Sequence, residues 1–221
     1  MKKDIYKFSC SLDKNLLMMM YVKSKNIVFV VMMICLPSFI YAQSQSKDQV
    51  MTDKEIRSAC EKNLPKMWKE LQTIERDDVP IVFNAQMHGP GRAKGKVMEL
   101  NPEFFIKKNL EYPEDRLLIV IVHEYGHILF NRIKDDKVEN LSMFDKKIEN
   151  EYQAFKYSVE WASEYAKNGD KGPLEQVITN LKSRAASGKE DDPHTHAIKR
   201  LMGEPVWKKA EEILISKQAV N

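Results

Sequence analysis

The 221 residues carry 35 Lys and Arg against 32 Asp and Glu, a formal net charge of +3, with 43% hydrophobic residues. Six of the basic and two of the acidic residues fall before residue 43, leaving 29 basic against 30 acidic beyond it, a balance that gives no basis for nucleic-acid binding. Of three cysteines, Cys10 and Cys35 also precede residue 43, so Cys60 stands alone and a disulfide framework is excluded.

Lys23 and Lys25 precede an apolar stretch over residues 27–41, which ends at Ala42 before Gln43-Ser44-Gln45-Ser46. That is the layout of a secretory signal peptide, expected over residues 1–42, with Met18, Met19 or Met20 as an alternative start. The stretch is shorter than the ~20 residues of a membrane span and Pro37 interrupts it. A secreted or periplasmic location is expected, with a membrane anchor at residues 27–41 as the alternative. Residues 43–221 suffice for one domain but not comfortably for two.

Thr52 or Asp53 caps a predicted helix to about Ile74, with Ile56, Cys60, Leu64, Met67 and Leu71 on one face; Pro65 kinks or divides it. Residues 80–84 are short and β-branched and read as a strand. Residues 86–96, rich in Gly, Arg and Lys, read as a loop or hairpin connection, and 97–100 as a second strand. Asn101-Pro102 opens a short helix through Phe105. The apolar run Leu117 to Val122 belongs to a helix over residues 115–132, followed by a polar turn at Asp135-Asp136 and a long helix over 142–167. A further helix at 173–186 precedes a charged loop, 188–192. The last helix contains 197–202 or restarts after Pro205 and runs to Ser216. These elements predict an α+β fold, mostly helical, with a small antiparallel or mixed sheet packed against the 115–132 helix.

That helix contains His123-Glu124-Tyr125-Gly126-His127, the HExxH pattern. Positions i and i+4 lie one turn apart on one face, so the two imidazoles can converge on one Zn²⁺. Glu124 is then placed to act as general base on a water at the metal, and the pattern predicts a zinc-dependent peptidase. Apolar flanks put the helix through a core, where free His and Glu are costly unless paired or metal-bound. Zinc needs a further protein ligand. A glutamate from a following helix supplies it if the two helices pack closely, and Glu151 is best placed because Ala154 follows one turn on. Glu149, Glu160 and Glu164 compete.

His123-Glu124-Tyr125-Gly126-His127 with Glu151-Tyr152-Gln153-Ala154 resembles the gluzincin metallopeptidases, in the short-spaced arrangement of the ImmA/IrrE-type peptidases. It is also similar to the CAAX prenyl proteases and membrane heat-shock proteases. The resemblance implies a zincin-like domain that cleaves a protein or peptide substrate, with zinc held by His123, His127 and Glu151 and Glu124 catalytic. In zincins the strand nearest the metal offers a free edge to extended substrate, and Val97 to Leu100 is the candidate. Asp192-Pro193-His194-Thr195-His196, with Arg200 beyond, is similar to a segment those proteases place near zinc. It implies catalytic His194 and Arg200 stabilising an oxyanion, while either His194 or His196 can reach the metal. The contrasting expectation is a zinc-stabilised structural or binding domain without turnover.

Overall fold

The computed structural model describes residues 51–133 and 136–216; the expected leader and anchor lie outside them. Helix α1 (Asp53–Asn63) starts on a reciprocal cap. Thr52 Oγ1 accepts the Glu55 N–H at 3.3 Å, and Glu55 Oε2 accepts the Thr52 N–H at 2.8 Å, which satisfies two otherwise unpaired donors. The chain breaks at Leu64 and resumes as α2 (Pro65–Arg76), so the proline divides the helix. At the first helical position it sacrifices no hydrogen bond.

Strands β1 (Ile81–Phe83), β2 (Gly91–Lys94) and β3 (Val97–Leu100) follow, then a 3₁₀ turn, Pro102–Phe104. The remaining helices are α3 (Glu114–Ile133), one-turn α4 (Asp136–Glu139), α5 (Met143–Lys167), α6 (Gly172–Ser187), α7 (Pro193–Met202) and α8 (Pro205–Ile215). The C-terminal region thus forms two helices where one was expected. Gly203 ends α7, and Pro205 takes the first position of α8. The architecture is mostly helical with a small mixed sheet, in agreement with the α+β expectation. None of the described helices is long and apolar enough to cross a membrane.

The sheet order is β1-β3-β2, with β1 parallel and β2 antiparallel to β3. This corrects the expectation that Val97–Leu100 is a free edge, because β3 is the central strand. Met98 N–H donates to Pro80 O, and Leu100 O accepts from Asn84, so both residues bond toward β1. Their β2 partners, Gly91 and Ala93, turn their peptide groups outward, and β2 is the edge. The strand escaped sequence reading because its alternate residues are Gly and Ala on one face and Arg and Lys on the other. Pairing across the sheet supports it instead: Arg92 Nε meets Glu99 Oε2 at 2.7 Å and Lys94 Nζ meets Glu99 Oε1 at 3.2 Å. The Arg92 hydrogen bond holds the Glu99 carboxyl below its ordinary pKa against burial, with Lys94 adding to the drop. Gly95 closes the hairpin at φ +63°, which a side chain would strain.

Helix α3 is the spine between two apolar clusters. Leu117, Leu118, Ile121, Val122, Tyr125 and Ile128 pack with α1, α2 and the sheet, whereas Ile119 packs with α5, α6, α7 and α8. Its start is tied down by α2: Glu114 Oε1 accepts the Lys66 N–H at 2.6 Å, and Lys66 Nζ reaches Asp115 and Asp170, each at 2.7 Å.

Cys60 is fully buried in the first cluster, and burial pushes its thiol up to about 11. The unfolded chain forms thiolate from about pH 8.5. The thiol's contribution to stability is therefore intact below that pH and is lost as pH rises toward 11. Urea unfolding at about pH 7.5 and about pH 10.5 should show Cys60→Ala losing about 2 kcal/mol less over that interval than the parent.

Candidate metal centre

His123 and His127 project from one face of α3 with their Nε2 atoms 3.1 Å apart. Opposite them, α5 supplies Glu151, whose Oε2 lies 3.4 Å from His123 Nε2 and 3.7 Å from His127 Nε2. Helix α5 comes this close because small residues meet where the helices cross. A Cβ added to Gly126 would stand 3.0 Å from Ala154 Cα and 3.2 Å from Ala154 O. Among the candidate glutamates, Glu149 pairs with Arg200 at 2.6 Å, Glu164 pairs with Lys167, and Glu160 is exposed.

The trio can hold a metal ion. Around a tetrahedral ion with bonds of ~2.0–2.1 Å, donor atoms stand about 3.3–3.4 Å apart, and the three distances found, 3.1, 3.4 and 3.7 Å, bracket that value. Glu151 Oε2 is buried without a hydrogen-bond partner among the described residues, a costly state for a carboxylate oxygen unless a cation satisfies it. Asn150 Oδ1 contacts His127 Nδ1. It thereby selects the tautomer with its proton on Nδ1 and leaves Nε2 free to coordinate. Phe155 packs on the His123 ring with centroids 4.4 Å apart.

Glu124 lies beside the trio, and its Oε2 accepts the Ala93 N–H from the outer edge of β2 at 2.6 Å. Burial raises its carboxyl above the ordinary pKa, with His127 and the Ala93 N–H opposing. His194, from the first turn of α7, reaches the other Glu151 oxygen, with Nε2 3.1 Å from Oε1, while its Nδ1 lies 2.9 Å from Asp192 Oδ1. The Glu151 hydrogen bond raises the His194 pKa against burial, with Asp192 adding to the rise. His194, more than any other contact, holds Asp192 down to about 2. Asp192 also caps α7, accepting from His194 N and Thr195 N, each at 3.3 Å.

The structure therefore brings His123, Glu124, His127, Glu151 and His194 together. His196 instead contacts Glu190 O and the Phe144 ring. Besides its ion pair with Glu149, Arg200 lies 3.7 Å above the Tyr152 ring and makes no hydrogen bond to a histidine among the described residues. Asn150 and the β2 edge were missed by sequence reading. Neither has a spacing rule, and only adjacency to Glu151 marked Asn150. Two cavities, about 530 and 540 Å³, meet at His123, Glu124 and His194.

Asn150→Ala should weaken affinity for a divalent metal, with zinc as the probe, about 10- to 100-fold, measured by competition with a chromogenic chelator, with the fold kept. Gly126→Ala forces α3 and α5 apart. It should cost about 1–3 kcal/mol in urea unfolding and weaken metal affinity as well, because Glu151 moves with α5.

No family model, curated protein or solved structure matches the chain.

Proposed function

We propose that the protein is a zinc-dependent endopeptidase with a zincin-like fold, which holds zinc through His123, His127 and Glu151 and cleaves a protein or peptide substrate after secretion. The observation that carries this reading is a three-donor set, which leaves a zinc ion one open position, with Glu124 half-buried beside it where two cavities meet. Zinc in such a set supplies Lewis acidity, lowering the pKa of a water to about 7 and polarising a carbonyl.

Glu124 takes the proton of the attacking water and returns it to the departing amine. Its burial, which favours the protonated form, suits it to carry that proton between the two steps. His194, braced by Asp192, turns its Nε2–H from Glu151 Oε1 to the carbonyl oxygen and donates a hydrogen bond to it as negative charge gathers there. Arg200 acts as a positioning residue, bracing α5 beside Glu151 through Glu149 and Tyr152. The outward peptide groups of Gly91 and Ala93 offer an extended chain main-chain hydrogen bonds. A peptide that takes the Ala93 N–H releases Glu124 for its work. Cavities on both sides of Glu124 accommodate chain on both sides of the scissile bond, which suits cleavage within a chain.

Zinc content and hydrolysis of casein, measured together on the purified protein, test the reading. Wild type should hold one zinc and cut casein; Glu151→Ala should lose the metal, and Glu124→Gln should keep it while activity falls at least about 100-fold. His194→Ala should keep zinc and lose about 100-fold or more in kcat. Full zinc occupancy in a wild type that cuts neither casein nor any peptide of a diverse library would favour a zinc-stabilised structural domain. A folded protein without affinity for zinc would overturn both readings.

A further inference from the structure

The side chains lining the two cavities beside Glu124 are unevenly charged. On the Pro90–Gly91 side the lining includes Arg116 and Arg184; on the Ala93 side it includes Lys146 and Lys147. Among the described residues, the carboxylates lining the two cavities are Glu124 and Glu151, whose two charges match one divalent ion in the metal centre. The four basic groups thus have no counter-charge within the cleft.

Outside it, no described carboxylate pairs with them; Glu139 lines a neighbouring cavity with Lys146 without an ion pair. Among the described residues the Arg184, Lys146 and Lys147 side chains make no ion pair or hydrogen bond. Arg116 donates to a carbonyl, Glu111 O, at 2.8 Å and lies 4.2 Å over the Tyr112 ring, with no carboxylate partner. Some cations elsewhere are paired, such as Arg57 with Glu75, Lys66 with Asp115 and Asp170, Arg92 with Glu99, Arg132 with Asp77 and Arg200 with Glu149, and others, such as Lys62 and Lys199, are not; what sets these four apart is that they line one cleft. The chain beyond residue 42 carries 29 basic against 30 acidic residues, so the bias is local rather than a by-product of a basic protein. A cleft lined by one sign of charge concentrates ligands of the other sign, and guanidinium groups bind carboxylates through paired N–H donors.

Resting on the peptidase reading, we infer that the substrate is an acidic peptide segment. Its carboxylates flank the scissile bond, with Arg116 and Arg184 taking those on the Gly91 side and Lys146 and Lys147 those on the Ala93 side. The basic groups serve recognition, and the metal centre serves cleavage.

The test is binding of three rhodamine-labelled unstructured peptides, identical except for four Glu, four Gln or four Lys, to zinc-loaded and metal-free protein carrying Glu124→Gln. Fluorescence anisotropy should give the Glu peptide a Kd about tenfold below that of the Gln peptide at low salt, with the gap narrowing as salt rises. In the metal-free protein the preference should persist. Adding Arg184→Glu and Lys147→Glu should abolish or reverse it, a change in selectivity that a general loss of structure would not produce. Equal binding of the three peptides would overturn the inference even if casein is cut. A preference for the Glu peptide, in a protein whose wild type cuts no peptide, would uphold the basic cleft and overturn the peptidase reading alone.

Discussion

Backbone meets backbone where Gly126 of α3 crosses Ala154 of α5, and the position of every group in the metal centre follows from how near the helices come there. Two histidines one turn apart on α3 define a point in space, but the third donor belongs to a helix that begins after an intervening connection. With larger residues at the crossing, the side chain of Glu151 would fall short. Small residues at a helix crossing are ordinary packing devices; here the same pair sets a coordination distance.

The second constraint is the polarity of α3 itself. Its apolar residues face two cores at once, which leaves the His and Glu side chains a narrow sector of the helix surface. That sector is covered by α5, β2 and the first turn of α7, each of which contributes a polar partner: Asn150 and Glu151, the Ala93 N–H, and His194. A polar cluster in such a place is stabilising only if its members are satisfied, and Glu151 Oε2 and His123 Nδ1 have no hydrogen-bond partner among the described residues. A cation between His123, His127 and Glu151 would satisfy the first of these.

Much of this was legible from local chemistry. The histidine spacing, the small residue after Glu151, the cap at Thr52 and the break at Pro65 all express interactions within one or two turns of chain, where sequence separation and spatial separation agree. The sheet was harder. Strand β2 buries only Gly and Ala against α3 and holds its other residues through Glu99 across the hairpin, so no hydrophobic alternation marks it. Missing β2 made β3 look like an edge. His194 was singled out together with His196, and only the capping turn built by Asp192 separates them, aiming the first at Glu151 and leaving the second on the surface. Arg200 was expected at the oxyanion, but the placement of Glu149 one helical face away from Glu151 draws it to α5 instead.

Glu124 and the β2 edge also bear on how the molecule behaves in company. An exposed strand edge with outward N–H and C=O groups is a template on which a second chain can add. Here the carboxylate of Glu124 occupies the Ala93 N–H, so the resting protein keeps part of that edge closed to other copies of itself. Removing the side chain at residue 124 altogether would open the edge along with disabling the base. Clumping or sluggish solubility in such a truncated form would then report an unguarded strand rather than a misfolded domain.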